Sequence, residues 1–209
     1  EKKETYEIAK KNSIKLVDYT CPNVLKNHKL IEEYTNNKYY AILFGNKNHP
    51  ENIGTLSYGN YNRICVETED ELEDAINDIK AKKIKKVFAF AQTTFSMEKF
   101  KIFSKIIEQE LKSENTEVKI LNTICNATEI RQMETKELSN RVDVMIILGG
   151  KNSSNTKKLY DIAKENCENH ILVENLKKID FKKLEEKGFK TVGIMAGAST
   201  PHSAFKIDK

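Results

Sequence analysis

Val142-Asp143-Val144-Met145-Ile146-Ile147-Leu148-Gly149-Gly150-Lys151-Asn152-Ser153-Ser154-Asn155 is the stretch that decides the fold class. The apolar run at residues 142–148 is too short for a buried helix, is rich in β-branched residues and stops at two glycines, so it reads as a strand. Its core is continuous rather than alternating, which marks a strand covered on both faces, as in a parallel sheet. The glycines end it, and Ser-Ser-Asn opens a helix over residues 154–166. The same grammar recurs outward in both directions. Residues 86–91 run into Gln92-Thr93-Thr94, residues 118–121 into Asn122-Thr123-Ile124-Cys125, and residues 192–195 into Ala196-Gly197-Ala198-Ser199-Thr200-Pro201. A shorter strand at 15–19 runs into Thr20-Cys21-Pro22.

Between these turns, the periodicity predicts helices over 5–12, 22–36, 70–82, 96–113, 127–141, 154–166 and 181–188. It predicts further strands over 39–44, 63–66 and 171–173, with a loop after the strand at 39–44. Alternating strands and helices of this kind make an α/β protein with parallel sheets. Two blocks of similar content, 22–123 and 124–203, each carry about four strands, and neither is bounded by a Pro/Gly-rich linker. Residues 1–21 read as the tail of a truncated first α/β domain, and 204–209 as a C-terminal tail. The charged start Glu1-Lys2-Lys3-Glu4 suggests that something upstream has been cut away.

The remaining composition mainly excludes. The 209 residues carry 35 Lys+Arg and 31 Asp+Glu, a net charge of +4, too even for nucleic acid or a membrane surface to be the main partner. No apolar run approaches the ~20 residues of a membrane span. The four cysteines, Cys21, Cys65, Cys125 and Cys167, include no CxxC pair, which argues against a disulfide framework. Cys65 in its strand and Cys167 after its helix read as buried, inert side chains. His28, His170 and His202 carry no motif, whereas His49 stands in Asn48-His49-Pro50-Glu51, where an imidazole and an acid two residues apart can face one cleft. Taken alone, that pair is more often a loop turn or helix cap than a proton relay.

In open parallel sheets, ligands bind beyond the carboxyl ends of strands, where helix N-termini offer free N–H groups and a positive dipole end to an anion. Ser, Thr and Asn at such places also serve as helix caps. Capping does not account for Gly149-Gly150 before Asn152-Ser153-Ser154-Asn155, or for Gly197-Ala198 before Ser199, where small residues let backbone approach a ligand. Two such turns in one block read as a phosphate or diphosphate cradle. With no GxxxxGK[ST] and no GxGxxG, a nucleotide is not the natural ligand.

Six motifs in order carry a resemblance. They are Thr20-Cys21-Pro22; His49-Pro50-Glu51 with Gly54-Thr55; Gln92-Thr93-Thr94-Phe95-Ser96; Ile124-Cys125-Asn126-Ala127-Thr128 with Arg131-Gln132; Gly149-Gly150-Lys151-Asn152-Ser153-Ser154-Asn155; and Ala196-Gly197-Ala198-Ser199. Together, over essentially the whole chain, they resemble the 4-hydroxy-3-methylbut-2-enyl diphosphate reductases of the methylerythritol phosphate route to isoprenoids. The resemblance implies a trefoil of three α/β domains around a central 4Fe–4S cluster, or its 3Fe–4S form, with most of the first domain absent from this chain. It makes Cys21 and Cys125 two of three cluster ligands, the third Cys lying in the missing N-terminal region. It makes Ser153, Ser154, Asn155 and Ser199 diphosphate-binding residues, His49 a substrate-pocket residue, Glu51 the carboxyl group of the proton relay, and Thr93 a hydroxyl facing the substrate alcohol. The implied partners are the allylic diphosphate and a ferredoxin- or flavodoxin-type electron donor with its reductase.

Two readings from other classes compete: a non-catalytic module that binds a phosphorylated metabolite, and an iron–sulfur electron carrier without substrate. The Lys/Asn-rich composition points to an AT-rich genome, and so to the plastid stroma of an apicomplexan, or to the cytoplasm if the source is bacterial.

Overall fold

In the computed structural model, which describes residues 1–112 and 115–207, helices and strands alternate. The order is α1 (Lys3–Lys11), α2 (Pro22–Asn36), β1 (Tyr40–Phe44), α3 (Pro50–Ser57), β2 (Arg63–Val66), α4 (Glu69–Ala81), β3 (Lys86–Ala91), α5 (Met97–Lys112) and β4 (Glu117–Leu121). Then come α6 (Asn126–Ser139), β5 (Val144–Leu148), α7 (Ser154–Asn166), β6 (Asn169–Val173), α8 (Phe181–Glu186) and β7 (Val192–Ala196), with single 3₁₀ turns at Leu176–Lys178 and His202–Phe205. The chain divides into two compact units, Glu1–Ile124 and Cys125–Lys209.

The first unit holds a four-stranded, all-parallel sheet in the order β2-β1-β3-β4. The pleat of β1 sends Tyr40, Ile42 and Phe44 to one face and Ala41 and Leu43 to the other, and all five residues are buried. On the first face, α4 contributes Leu72, Ala75, Ile76 and Ile79, and α5 contributes Phe100, Phe103, Ile107 and Leu111. The opposite face is covered by Ile31 and Tyr34 of α2, with the Tyr34 ring stacked on Phe88 at 3.9 Å. The second unit repeats the plan with three parallel strands in the order β6-β5-β7. Val144, Ile146 and Leu148 face Leu176 and Ala204, while Met145 and Ile147 face Leu159 and Ala163 of α7. Both sheets are therefore wound from the middle: the chain adds one strand beside the first, then returns to its other side.

That winding places the site. In each sheet the direction reverses at one point, between β1 and β3 and between β5 and β7, and ligand crevices open outside the carboxyl ends there. The registers Phe44↔Ala91 and Leu148↔Ala196 bring those ends side by side.

Several expectations change. Residues 15–19 form no strand; Val17 and Tyr19 are 64% and 93% exposed. A strand exists only through pairing, and among the described residues none lies beside this segment. The first helix begins at Lys3 instead of residue 5, and there Lys3 N donates to Ser57 Oγ at 2.8 Å and Lys3 Nζ pairs with Glu32 at 2.6 Å. The second sheet has three strands among the described residues instead of about four. Of the stretch 48–55 expected as a loop after β1, the part from Pro50 onward is helix α3, and the expected end of the helix at residue 113 lies outside the described residues.

Candidate active site

The crevice of the first sheet is built by α3 and by the segment leaving β3. Pro50 occupies the first helical position of α3, where its missing N–H is no loss, and His49 caps the helix: its Nδ1 accepts from Glu51 N at 3.2 Å. With Nδ1 an acceptor, the neutral ring carries its proton on Nε2, which leaves that N–H to donate elsewhere. The first turn of α3 thus holds Glu51 over the end of β3. There Thr93 N donates to Glu51 Oε1 at 2.7 Å and Thr93 Oγ1 donates to Glu51 Oε2 at 2.9 Å. The structure thereby brings together two residues 42 positions apart. Burial pushes the Glu51 carboxyl above its ordinary value, and the two Thr93 hydrogen bonds pull the other way without cancelling it. A carboxyl raised above its ordinary value and oriented by two donors is the equipment of a proton donor.

Beyond the second sheet, Ser153 caps α7, its Oγ accepting from Thr156 N at 3.3 Å. Ser154 is half-buried and opens the helix; Ser199 is exposed in the turn after β7. Asn155 is 5% exposed, and neither its Nδ2 nor its Oδ1 has a protein partner. A buried amide left unpaired costs about 1–3 kcal/mol, so such groups in proteins are normally satisfied by something. A polar ligand at the start of α7, with the positive end of the helix dipole beside it, fits that requirement. The two turns are locked by close approach. A Cβ at Gly197 would collide with Thr156 Oγ1, and Gly149, at φ +151°, would place one 2.6 Å from the same atom.

Cys21 and Cys125 share one local structure. Each is the N-cap of its helix, in extended backbone (φ −53°, ψ 134° and φ −64°, ψ 130°), and neither side chain makes a cap hydrogen bond. Cys21 O accepts from the amides of Val24 and Leu25, and Cys125 O from those of Thr128 and Glu129. Cys21 is exposed and Cys125 half-buried, and neither is in a disulfide. Sulfur at a helix start, reachable from outside, suits a thiolate that ligates metal. The other two thiols do not. Cys65 is buried, donates to Gly45 O at 3.1 Å, and burial pushes it up to about 12. Cys167 is buried against the carbonyls of Val142, Asp143 and Asn169. Among the described residues, no group of three His, Cys, Asp or Glu side chains is arranged to hold a metal ion. No described helix is long and apolar enough to cross a membrane.

Two residues of the first crevice carried no role in the sequence. Asn52 and Gln92 are buried amides bonded to each other beside Glu51 and Thr93. Their signal was a buried polar residue next to a reactive one, which only the fold exposes.

Comparison with known proteins gives a consistent answer. The 4-hydroxy-3-methylbut-2-enyl diphosphate reductase of Nitratiruptor sp. is 42% identical over 201 residues, covering 96% of this chain and 68% of that protein. The enzyme of the same name from Aquifex aeolicus is 42% identical, over 95% of this chain and 65% of its own length. A solved structure of that reductase, the terminal enzyme of the non-mevalonate pathway, matches 97% of this chain and 69% of its own at 41% identity, with a TM-score of 0.61. The Plasmodium falciparum reductase matches 97% of this chain and 61% of its own at 30% identity, with a TM-score of 0.80. This chain thus spans about two thirds of the length of these relatives. The model of the LytB protein family matches residues 1–207, and the chain belongs to that family.

Proposed function

We propose that this chain forms the larger part of an oxidoreductase that converts 4-hydroxy-3-methylbut-2-enyl diphosphate to isopentenyl and dimethylallyl diphosphates. In the balanced reaction, two electrons and two protons enter, the allylic C–O bond breaks, a C–H bond forms and water leaves. The observation that carries the reading is the buried Glu51 carboxyl, raised in pKa and fixed by Thr93 at the reversal point of the first sheet. A module that only binds a phosphorylated metabolite has no use for such an acid, and neither has an electron carrier.

The residues then take distinct parts. Ser153, Ser154, Asn155 and Ser199, at the ends of β5 and β7, bind the diphosphate. The unpaired Asn155 amide supplies a donor, and the start of α7 supplies backbone N–H groups. Glu51 donates the proton that lets the hydroxyl depart as water. Thr93 holds the carboxyl and offers its hydroxyl to the substrate alcohol, and His49 presents Nε2–H from the same helix start. Cys21 and Cys125 would be thiolate ligands of an iron–sulfur cluster, of the 4Fe–4S type, which when bound supplies electrons and a Lewis-acid iron. A ferredoxin or flavodoxin would deliver the electrons. The bacterial relatives favour a bacterial cytoplasm over an apicomplexan plastid as the compartment.

The test is Glu51→Gln in the intact protein, which keeps size and hydrogen bonding but removes the acid. In single turnovers of the dithionite-reduced enzyme, substrate should still bind while its reduction slows by ~10²–10⁴, the usual worth of a positioned acid. Reduction within a few-fold of wild type would remove Glu51 from the chemistry.

A further inference from the structure

Asn52 directly follows Glu51, and Gln92 directly precedes Thr93. Asn52 Nδ2 donates to Gln92 Oε1 at 2.9 Å and to Asn46 O at 2.8 Å, and Gln92 Nε2 donates to Thr94 Oγ1 at 3.0 Å. Asn52 is fully buried and Gln92 is 2% exposed. The first turn of α3 and the segment leaving β3 are therefore joined by two cross-links from consecutive residues, one through Glu51 and Thr93, the next through Asn52 and Gln92. Gly45, at the end of β1, makes room for the second. A Cβ there would collide with Asn52 Nδ2 and lie 2.8 Å from Gln92 Oε1. The amide bond thus fills a gap left by a missing side chain.

We propose that Asn52 and Gln92, seated in the space at Gly45, are positioning residues that hold the Thr93 amide and hydroxyl against the Glu51 carboxylate. The physical need is clear. Helix α3 has eight residues and little stability of its own, and a glutamate side chain has three torsions to fix. A second, buried link one residue along removes the freedom of the two backbones to slide apart. An error of about 1 Å in such a site is worth up to ~10² in rate. Asn52 Oδ1 has no partner, so the pair is not the cheapest way to fill this volume, as it would be if packing were its whole role.

On the Asn46 side of the pair, Glu67 accepts from Asn46 Nδ2 at 2.7 Å and Lys47 lies 3.5 Å from Glu71. Further along α3, His28 stacks on Tyr58 and lies by Gly54, the Lys3–Glu32 pair lies by Ser57, and Arg63 bonds to Leu56 O. His49 is the titratable side chain beside Glu51, and it acts to lower the Glu51 pKa.

The proposal rests on Glu51 being the acid, and its test separates the two ideas. In the intact reductase, kcat should fall at high pH as Glu51 loses its proton. Asn52→Leu should lower kcat by ~10–10², with KM for the diphosphate within about twofold, and should move that limb to higher pH, because the carboxylate loses donors. Thr93→Val, which removes the hydroxyl donor but keeps the backbone amide, should move the limb the same way, and the double variant should move it by less than the sum of the two single shifts, the mark of a shared pathway. Gly45→Ala, which keeps every polar group but displaces the amide pair, should act like Asn52→Leu and serves if that variant folds poorly. A limb abolished by Glu51→Gln but unmoved by both Asn52→Leu and Gly45→Ala overturns the positioning role alone. Shifts that simply add in the double variant overturn it too. A limb that persists in Glu51→Gln overturns the acid assignment, and the positioning role with it.

Discussion

Glu51 is held by opposing influences. Burial raises its pKa, and two hydrogen bonds from Thr93 lower it by less. A carboxyl whose folded value lies above its unfolded one favours the folded state in its protonated form. That contribution is complete below the ordinary value of 4.5 and is lost as pH rises through the folded value. Wild type should therefore gain stability over Glu51→Gln as pH falls from neutral towards 4.5, measured by urea unfolding. A gain in the opposite direction would mean that the Thr93 bonds dominate. Asn155 makes the complementary case in the second unit. Its unpaired amide costs stability without ligand, so Asn155→Leu should leave the unliganded fold as stable as wild type or more so. The same change should weaken inhibition by pyrophosphate by about 1.5–3 kcal/mol, the worth of a hydrogen bond to a charged group. Lost stability with unchanged inhibition would make Asn155 a packing residue.

At the scale of elements, the sequence spoke clearly where burial is two-sided. β3, α2 and α7 fall at the predicted residues: β3 is covered on both faces and carries an unbroken apolar run, whereas the starts of α2 and α7 are marked by Pro22 and by the cap Ser153. α3 was hidden. Pro50-Glu51-Asn52-Ile53-Gly54-Thr55 holds poor helix formers, and the helix depends on its His49 cap, on Pro50 and on packing against α2. Residues 15–19 have strand composition but, among the described residues, no neighbouring strand, which no local pattern reveals. The site shows the same divide. His49, Glu51 and Thr93 were legible as motif residues, but the Glu51–Thr93 bond spans two elements and needed the sheet order. Glycine in the turns offers a test at this scale. Gly197→Ala drives a methyl group into Thr156 Oγ1 and should cost about 1–3 kcal/mol as an overpacked site. Gly150→Ala meets open space and should cost less than 1 kcal/mol. Thr156→Ala in the Gly197→Ala background should restore part of the loss, seen in thermal melts. Equal losses at Gly197 and Gly150 would show that backbone freedom, not the Thr156 contact, sets the requirement.

In the molecule as a whole, two parallel sheets each reverse winding once, and the proposed function places the acid at the reversal of β1 and β3 and the anion cradle at that of β5 and β7. Two further helix starts, α2 and α6, each present a cysteine in the same capping geometry. Cys65 and Cys167 lie inside the units, bonded to backbone carbonyls. On this account the first pair ligates metal and the second pair only packs. Iron and acid-labile sulfide measured in the intact protein, alongside its four single Cys→Ser variants, test that division most directly. Cys21→Ser and Cys125→Ser should each lose most of the bound iron and sulfide while keeping the far-ultraviolet circular dichroism of the fold, because a hydroxyl does not replace a thiolate ligand. Cys65→Ser and Cys167→Ser should retain both. Wild-type iron in Cys21→Ser or Cys125→Ser, or equal loss in all four variants, would contradict the account.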